Sequence, residues 1–327
     1  MKKSLLALAI LSSFTGVAMA QSSVTIYGVV DTGLVWENAG SGKSFRIDSG
    51  NQSGSRVGFK GTEDLGGGLK ANFVLEAGFQ NDTGAQATAG VLFNRQSYVS
   101  LAGDFGEVKM GRIQTMVYSN AAVFDPFGDT LAGDSARLFN YGGSRTDNTV
   151  NYSLSAANGL NGQVAYSAGE VAGNTNASRT VAGAFGYNAG PLAVVLTHQN
   201  TKTATGADGA KTTLLGGNYT IGMVQPFLAY ALNKGTGTLS TSDALVGVKV
   251  SLTPKDILMA SVIKKHDKTN AHADATQYAL GFTHDLSPRT NLYTSVSHLK
   301  NGYAAAYKVT ATGATDNLFN IGIRHKF

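Results

Sequence analysis

Side chains two residues apart on an extended chain point to the same side, and that period governs where this sequence places its apolar and charged residues. Val24-Thr25-Ile26-Tyr27-Gly28-Val29-Val30-Asp31-Thr32-Gly33-Leu34-Val35-Trp36 reads as one long strand. Val57 and Phe59 alternate with Arg56, Gly58 and Lys60. Phe73, Leu75 and Phe79 alternate with Lys70, Asn72, Glu76 and Gly78. The spacing predicts strands with one apolar and one polar face, and it gathers Arg56, Lys60, Lys70 and Glu76 on the polar one.

Two kinds of connection separate the strands. Tight ones include 63–68, 103–106, 188–190, 253–256 and 286–289; longer polar ones include 38–50, 81–90, 171–179, 201–210, 234–241, 267–274 and 300–314. Gly, Asn, Asp and Pro supply the backbone angles that hairpins need. The chain has 41 Gly and 5 Pro, too much Gly for a helical protein. Counting segments predicts about 16 strands, with short turns at one end and long loops at the other, the pattern of a membrane barrel. A spanning helix needs about 20 apolar residues in a row, whereas a tilted strand needs about 9–11 of alternating character. A chain of near-zero mean hydropathy can therefore still cross a bilayer as strands. The expected fold is an all-β transmembrane antiparallel β-barrel of 16 strands, with a long third loop folded into the lumen.

The ends agree with that destination. Lys2 and Lys3, an apolar run from Leu5 to Val17 and Ala18-Met19-Ala20 have the layout of a cleaved export signal over residues 1–20, leaving one barrel domain over 21–327. The last strand stops on an aromatic residue, Phe327. There is no cysteine, which removes disulfides, thiolate metal sites and a Cys nucleophile. Without Lys2 and Lys3 the formal charge falls from +5 to +3, and the basic residues are scattered, so no nucleic-acid partner is expected. The six histidines are far apart in sequence and form no metal-ligand spacing, so no metal or cofactor is expected.

One connection breaks the rhythm. Residues 116–146 show no alternation, yet carry Val123, Phe124, Phe127, Leu131, Leu138 and Phe139. A loop of this length without its own structure is usually functional or disordered, and its apolar content argues against a free tail in water. Its expected place is inside the barrel, against the wall. A barrel of about 16 strands leaves an aqueous channel, which such a loop would narrow.

Several stretches taken together resemble a Gram-negative general porin of the trimeric, beta-proteobacterial type. They are Ser22-Ser23-Val24-Thr25-Ile26-Tyr27-Gly28, Gly54-Ser55-Arg56-Val57-Gly58-Phe59-Lys60-Gly61-Thr62-Glu63-Asp64-Leu65-Gly66, Leu92-Phe93-Asn94-Arg95-Gln96-Ser97-Tyr98-Val99, Met110-Gly111-Arg112, Asp125-Pro126-Phe127, Arg145-Thr146-Asp147-Asn148-Thr149-Val150-Asn151-Tyr152 and the terminal Gly322-Ile323-Arg324-His325-Lys326-Phe327. The resemblance implies a homotrimer in the outer membrane that passes small hydrophilic solutes and ions. It implies a basic ladder on the pore wall (Arg56, Arg95, Arg145 and Lys60) opposed by an acidic side (Glu76, Asp125 and Asp129). Phe327 would be the signal read by the outer-membrane assembly machinery, with His325 standing where many barrels carry an apolar residue. Parity places Arg95 with Ser97 and Val99 and turns Gln96 and Tyr98 outward.

Charged rings in a water-filled constriction set ion preference, and low-dielectric walls focus their field. Arginine keeps its charge at any relevant pH, so three arginines against fewer carboxylates predict mild anion preference. Tyr27, Trp36, Tyr98, Tyr152, Tyr219, Tyr278, Tyr293 and Phe327 are candidates for the interfacial aromatic girdles. A solute-specific anion or phosphate channel, an outer-membrane hydrolase and an adhesin or soluble β-sandwich are the competing readings. The hydrolase would need Ser, His and an acid brought together in space, and the sequence contains no nucleophile elbow.

Overall fold

The computed structural model describes residues 23–40, 42–235 and 240–327. The expected leader over 1–20 lies outside the described residues. Within them, strand segments β1 (Ser23–Asn38) to β17 (Thr315–Lys326) form one sheet in which β1 also pairs with β17, so the sheet closes on itself. Closure suits a chain in lipid, where no water is available to satisfy a free strand edge. Among the described residues no helix is long and apolar enough to cross a membrane.

The segments fill 16 positions because one position is split. β2 (Lys43–Ser49) pairs with the Thr32–Asn38 half of β1, and β3 (Arg56–Gly66) pairs with its Ser23–Val29 half. β2 and β3 are thus one stave interrupted at 50–55. The long loop expected over 38–50 is corrected accordingly: Lys43–Ser49 returns as a strand. Phe45 and Ile47 face out there, between Ser44, Arg46 and Asp48, and the Phe45 ring lies 4.7 Å from that of Trp36.

The circuit continues through β4 (Leu69–Gly78), β5 (Gln96–Gly103), β6 (Gly106–Gln114), β7 (Arg145–Ser155), β8 (Leu160–Ser167), β9 (Thr180–Ala189), β10 (Leu192–Lys202) and β11 (Asp208–Tyr219). It is completed by β12 (Val224–Lys234), β13 (Ser240–Ser251), β14 (Asp256–Asp267), β15 (Ala275–Asp285) and β16 (Thr290–Asn301) before β17. Every pairing is antiparallel and joins neighbours in the closed order. Side chains alternate as the period predicts. On neighbouring strands Leu214, Phe227 and Leu245 are buried on the inner side, while Leu215, Leu228 and Val246 stand exposed on the outer one. Exposed aromatics gather at both ends of the outer face: Tyr152, Tyr187, Tyr219 and Phe327 by the short turns, and Trp36, Phe45, Tyr278 and Phe319 by the long connections. Tyr27, Tyr98 and Tyr293 leave the expected girdles. Tyr27 and Tyr293 turn inward to bond carboxylates, and Tyr98 pairs across from Val74 on the inner side.

The connection from β6 to β7, residues 115–144, contains two short helical turns, Met116–Ser119 and Ala121–Phe124. It reaches strands far from its own roots. The Asn218 amide donates to the Val123 carbonyl at 2.7 Å, and the Ala132 N–H donates to the Ser295 hydroxyl at 3.0 Å. Val117, Phe124, Leu138 and Phe139 of the connection share a buried cluster with Val195, Leu214, Phe227, Leu245, Ile263 and Leu299 of the wall. All these wall residues belong to the buried half of the alternation. Gly216, Gly247 and Gly281 on alternate strands leave notches in which Phe124, Pro126 and Phe127 rest.

The seam is tied at the last residue. The Gly28 N–H donates to the Phe327 carbonyl at 3.0 Å, and the Phe327 N–H donates to the Gly28 carbonyl at 3.1 Å. The Phe327 ring covers the space where a Cβ on Gly28 would project, and that Cβ would also stand 2.6 Å from the Arg56 carbonyl. Gly28→Val therefore displaces the ring and strains the seam. The expected cost is about 1–3 kcal/mol, read as a lower unfolding midpoint and a smaller heat-modifiable fraction on gels.

Candidate functional site

The charged site grows from the break in the second stave. Asp31 is fully buried on β1 and turns its carboxylate to the broken segment, where it accepts the N–H groups of Gln52 at 2.8 Å and Ser53 at 2.6 Å. The Tyr293 hydroxyl donates to its other oxygen at 2.5 Å. Gln52 and Ser53 have no strand partner at this level, so the side chain of Asp31 satisfies backbone groups that would otherwise be orphaned. The segment so fixed presents the Gly54 carbonyl and the Ser53 hydroxyl, which accept from Arg56 Nη1 at 3.0 and 3.1 Å.

Arg56 is brought beside the other two wall arginines. Arg95 Nε donates to Glu76 Oε1 at 2.7 Å, and Arg56 Nε lies 3.3 Å from Glu76 Oε2. Arg145 Nε donates to the Arg95 carbonyl at 2.7 Å, and its guanidinium lies 5.1 Å from the centre of the Tyr118 ring. Arg145 Nη2 is buried without a hydrogen-bond partner. Lys60 shares their face at a lower level, toward the short turns, with its ammonium 5.3 Å from the Tyr27 ring centre.

The facing expected for the neighbours of Arg95 is corrected. Gln96 and Tyr98 pair across from Glu76 and Val74 and so lie on the inner side, while Val99 is exposed outward. Strand parity would then send Arg95 into lipid. It escapes because β5 begins only at Gln96: Arg95 ends the irregular connection before it, held by its N–H on the Glu76 carbonyl.

The acidic side also differs from expectation. Glu76 does not oppose the arginines. It sits among them, also accepting from the Tyr27 hydroxyl at 3.0 Å, because it lies one strand over from Arg56 on the same inner face. Asp125 is fully buried and organises its own loop, accepting N–H groups from Phe127 at 2.8 Å, Asp129 at 3.1 Å and Ser135 at 3.1 Å. Burial pushes its carboxyl up to about 6. Asp129 is half-buried, and burial together with the adjacent Asp134 carboxyl raises it strongly. Its buried Oδ1 meets neither an N–H nor an O–H donor. Two carboxyls side by side do not both ionise readily, which disfavours the charged form of Asp129.

Other charged residues escaped the sequence reading. Arg137 of the loop pairs with buried Asp316 on β17 and donates from Nε to Gln277 at 3.0 Å. Lys265 pairs with buried Asp243 at 2.6 Å. Alternation could have placed Asp316, Asp243 and Lys265 on the inner face, but no local signal announces Arg137. Two histidines meet acids: His284 with Asp256 at 2.7 Å and His266 with Asp274 at 3.1 Å. Among the described residues neither histidine has a serine or threonine hydroxyl as a partner, so the Ser–His–acid relay of a hydrolase is not assembled around them.

Glu76→Gln keeps an acceptor for Tyr27 but leaves Arg56 and Arg95 without a counter-charge. The expected loss is about 2 kcal/mol, below that of a dry buried pair because both arginines keep some contact with water; urea unfolding of the folded barrel checks it. Asp125 gives a pH signature. Its carboxyl binds a proton more readily folded than unfolded, so the stability tied to it is present below its unfolded value near 3.8 and is lost as pH rises through about 6. The urea unfolding midpoint of the folded barrel should fall across that interval, and Asp125→Asn should flatten the dependence.

The closed barrel has clear counterparts among known proteins. The family described as Gram-negative porin matches residues 7–324. Outer membrane porin protein 32 of Delftia acidovorans is 32% identical over the full length of both chains. A major outer membrane protein P.IB of Neisseria meningitidis serogroup B is 29% identical, again over the full length of both. Among solved structures, the anion-selective porin from Comamonas acidovorans aligns with a TM-score of 0.82 and 30% identity, covering 94% of this chain and 100% of that one. Porins are channels rather than enzymes, and this chain, with its closed 16-position barrel, belongs to the Gram-negative porin family of the outer membrane.

Proposed function

We propose that this porin is a general diffusion channel with a mild preference for anions, and that Arg56, Arg95 and Arg145 set that preference. The observation that carries the reading is the imbalance of charge where the three arginines meet. Among the described residues Glu76 is the one carboxylate paired with them, Asp125 is spent inside its own loop, and burial beside Asp134 disfavours the charged form of Asp129. An anion passing this point meets fixed guanidinium charge in a low-dielectric wall.

The segment 116–146 is proposed to lie in the lumen and form the narrowest level. Its contacts with the buried half of the wall alternation support this, as does its apolar cluster with β10 to β16. Lys60 would extend the basic ladder toward the short-turn end. The chain is further proposed to lose residues 1–20 on export, to use Phe327 as its assembly signal, to assemble as a homotrimer and to perform no catalysis. A related solved barrel from Vibrio cholerae is described as a trimer form.

Planar-bilayer recording under a potassium chloride gradient tests the reading. The expected reversal potential lies on the chloride side, with conductance lost in steps of three. Arg56→Gln combined with Arg145→Gln should move the reversal potential toward zero by a clearly resolved amount, and Glu76→Gln should move it further toward chloride. A cation preference in the unmodified protein would overturn the arginine-dominated site. Saturation of the current by phosphate, but not by chloride, would favour the solute-specific channel.

A further inference from the structure

We propose that the inner wall just below the arginines holds a subsite for aryl carboxylates, small planar anions of the benzoate class, with the Tyr27 ring as its floor and Arg56 and Lys60 as its two cations. The inference rests on the anion-channel reading and adds a solute class to the same site. On β3 the inward positions run Arg56, Gly58, Lys60 toward the short turns, with the roots of the two cations about 14 Å apart. Gly58 pairs with Tyr27 on one side and with Glu76 on the other. Its missing side chain lets the ring lie across the strand, since a Cβ on Gly58 would stand 2.5 Å from the ring. The Tyr27 hydroxyl donates to Glu76 at 3.0 Å, which fixes the ring between the two cations.

Each part matches one half of such a solute. Glu76 is buried, and its oxygens are already taken up by Arg56, Arg95 and Tyr27. Lys60 is exposed, and among the described residues its ammonium meets no carboxylate; it rests 5.3 Å from the centre of the Tyr27 ring. An ammonium on an exposed ring is weakly held. A carboxylate draws it off, and the solute's own ring takes the face it leaves, where two aromatic rings attract by offset or edge contact. The floor continues sideways. Lys60 pairs with Val74 and Val74 with Tyr98, so the root of a second aromatic residue lies about 10 Å along the same row. Lys109, 5.4 Å from the centre of the Tyr98 ring, is partly neutralised by Glu107 at 3.2 Å, which leaves Lys60 as the stronger cation of this tier. An aryl carboxylate leaving the arginines thus passes its charge from Arg56 to Lys60 while its ring slides over Tyr27. An aliphatic anion of equal charge finds the same cations but gains nothing from the floor.

The test uses the full mature chain, refolded, checked by heat-modifiability and recorded in a planar bilayer. Benzoate is compared with cyclohexanecarboxylate, which has the same charge and a ring of similar size but no π face. The reversal potential is read from the same channels under a potassium chloride gradient. The expected result is a chloride-side potential and a saturable fall in chloride current, which benzoate produces at about one-tenth the concentration of cyclohexanecarboxylate, the worth of one aromatic pair. Tyr27→Leu should bring the two carboxylates within about twofold of each other, whereas Tyr27→Phe should keep the preference. Lys60→Gln should weaken both carboxylates together. A chloride-side potential with equal block by the two overturns the aryl site and leaves the anion channel standing. A potassium-side potential overturns both. Should Tyr27→Leu fold poorly, Gly58→Ala, whose methyl displaces the ring, and Tyr98→Leu are each expected to lose part of the preference, and an unchanged preference in both would refute the floor.

Discussion

In hydrocarbon every backbone N–H and C=O must find a partner within the protein, and a sheet achieves this only by closing. The whole molecule follows from the seam where β1 meets β17. Closure gives every strand an inside and an outside, and the two-residue period then sorts side chains between them. Exposed Leu, Val and aromatic residues go to the lipid, while Arg, Asp, Glu and Asn go inward, together with the apolar wall residues that the loop covers. The seam depends on its last residue: Phe327 completes the hydrogen bonds of Gly28 and lays its ring over a residue that has no side chain to obstruct it.

Inside that enclosure the arginines are held by different means. Arg56 rests on the backbone of the broken stave, Arg95 on Glu76, and Arg145 on the carbonyl of Arg95 and the ring of Tyr118. None of the three guanidinium groups therefore spends all its charge on a carboxylate. Glu76 moderates the group without cancelling it. The loop carboxylates work mostly on the loop itself, where Asp125 collects three N–H groups that turn the chain through Phe127 to Ser135.

The fold was legible in the sequence because lipid and water impose a strict period on β1, β3 and β4, and because Gly-rich turns punctuate it. Alternation placed Arg56 on the polar face, whereas Arg95 and Arg145 entered only through the family resemblance. What escaped depends on where a strand starts and on contacts distant in sequence. Arg95 reaches the inner face only because β5 begins one residue later. Tyr27 and Tyr293 resemble girdle residues in isolation, yet carboxylates far along the chain draw them inward. Phe45 and Ile47 did alternate, but their strand is short and lies where a loop was expected. The role of Asp125 could not be read locally, because a carboxylate that binds its own backbone and one that faces an ion have the same neighbours in sequence.

The gap at 50–55 also shapes how this wall can move. Where the second stave lapses, Asn51 turns its carbonyl to the Leu131 N–H at 2.7 Å, so the loop takes up an acceptor that strand pairing left spare. The loop is thereby stitched into the sheet at the place where the sheet is incomplete. Lifting its tip would reopen a hole in the ladder and expose bare peptide groups. Wall and loop thus behave as one mechanical piece, and a displacement at either is felt at the other.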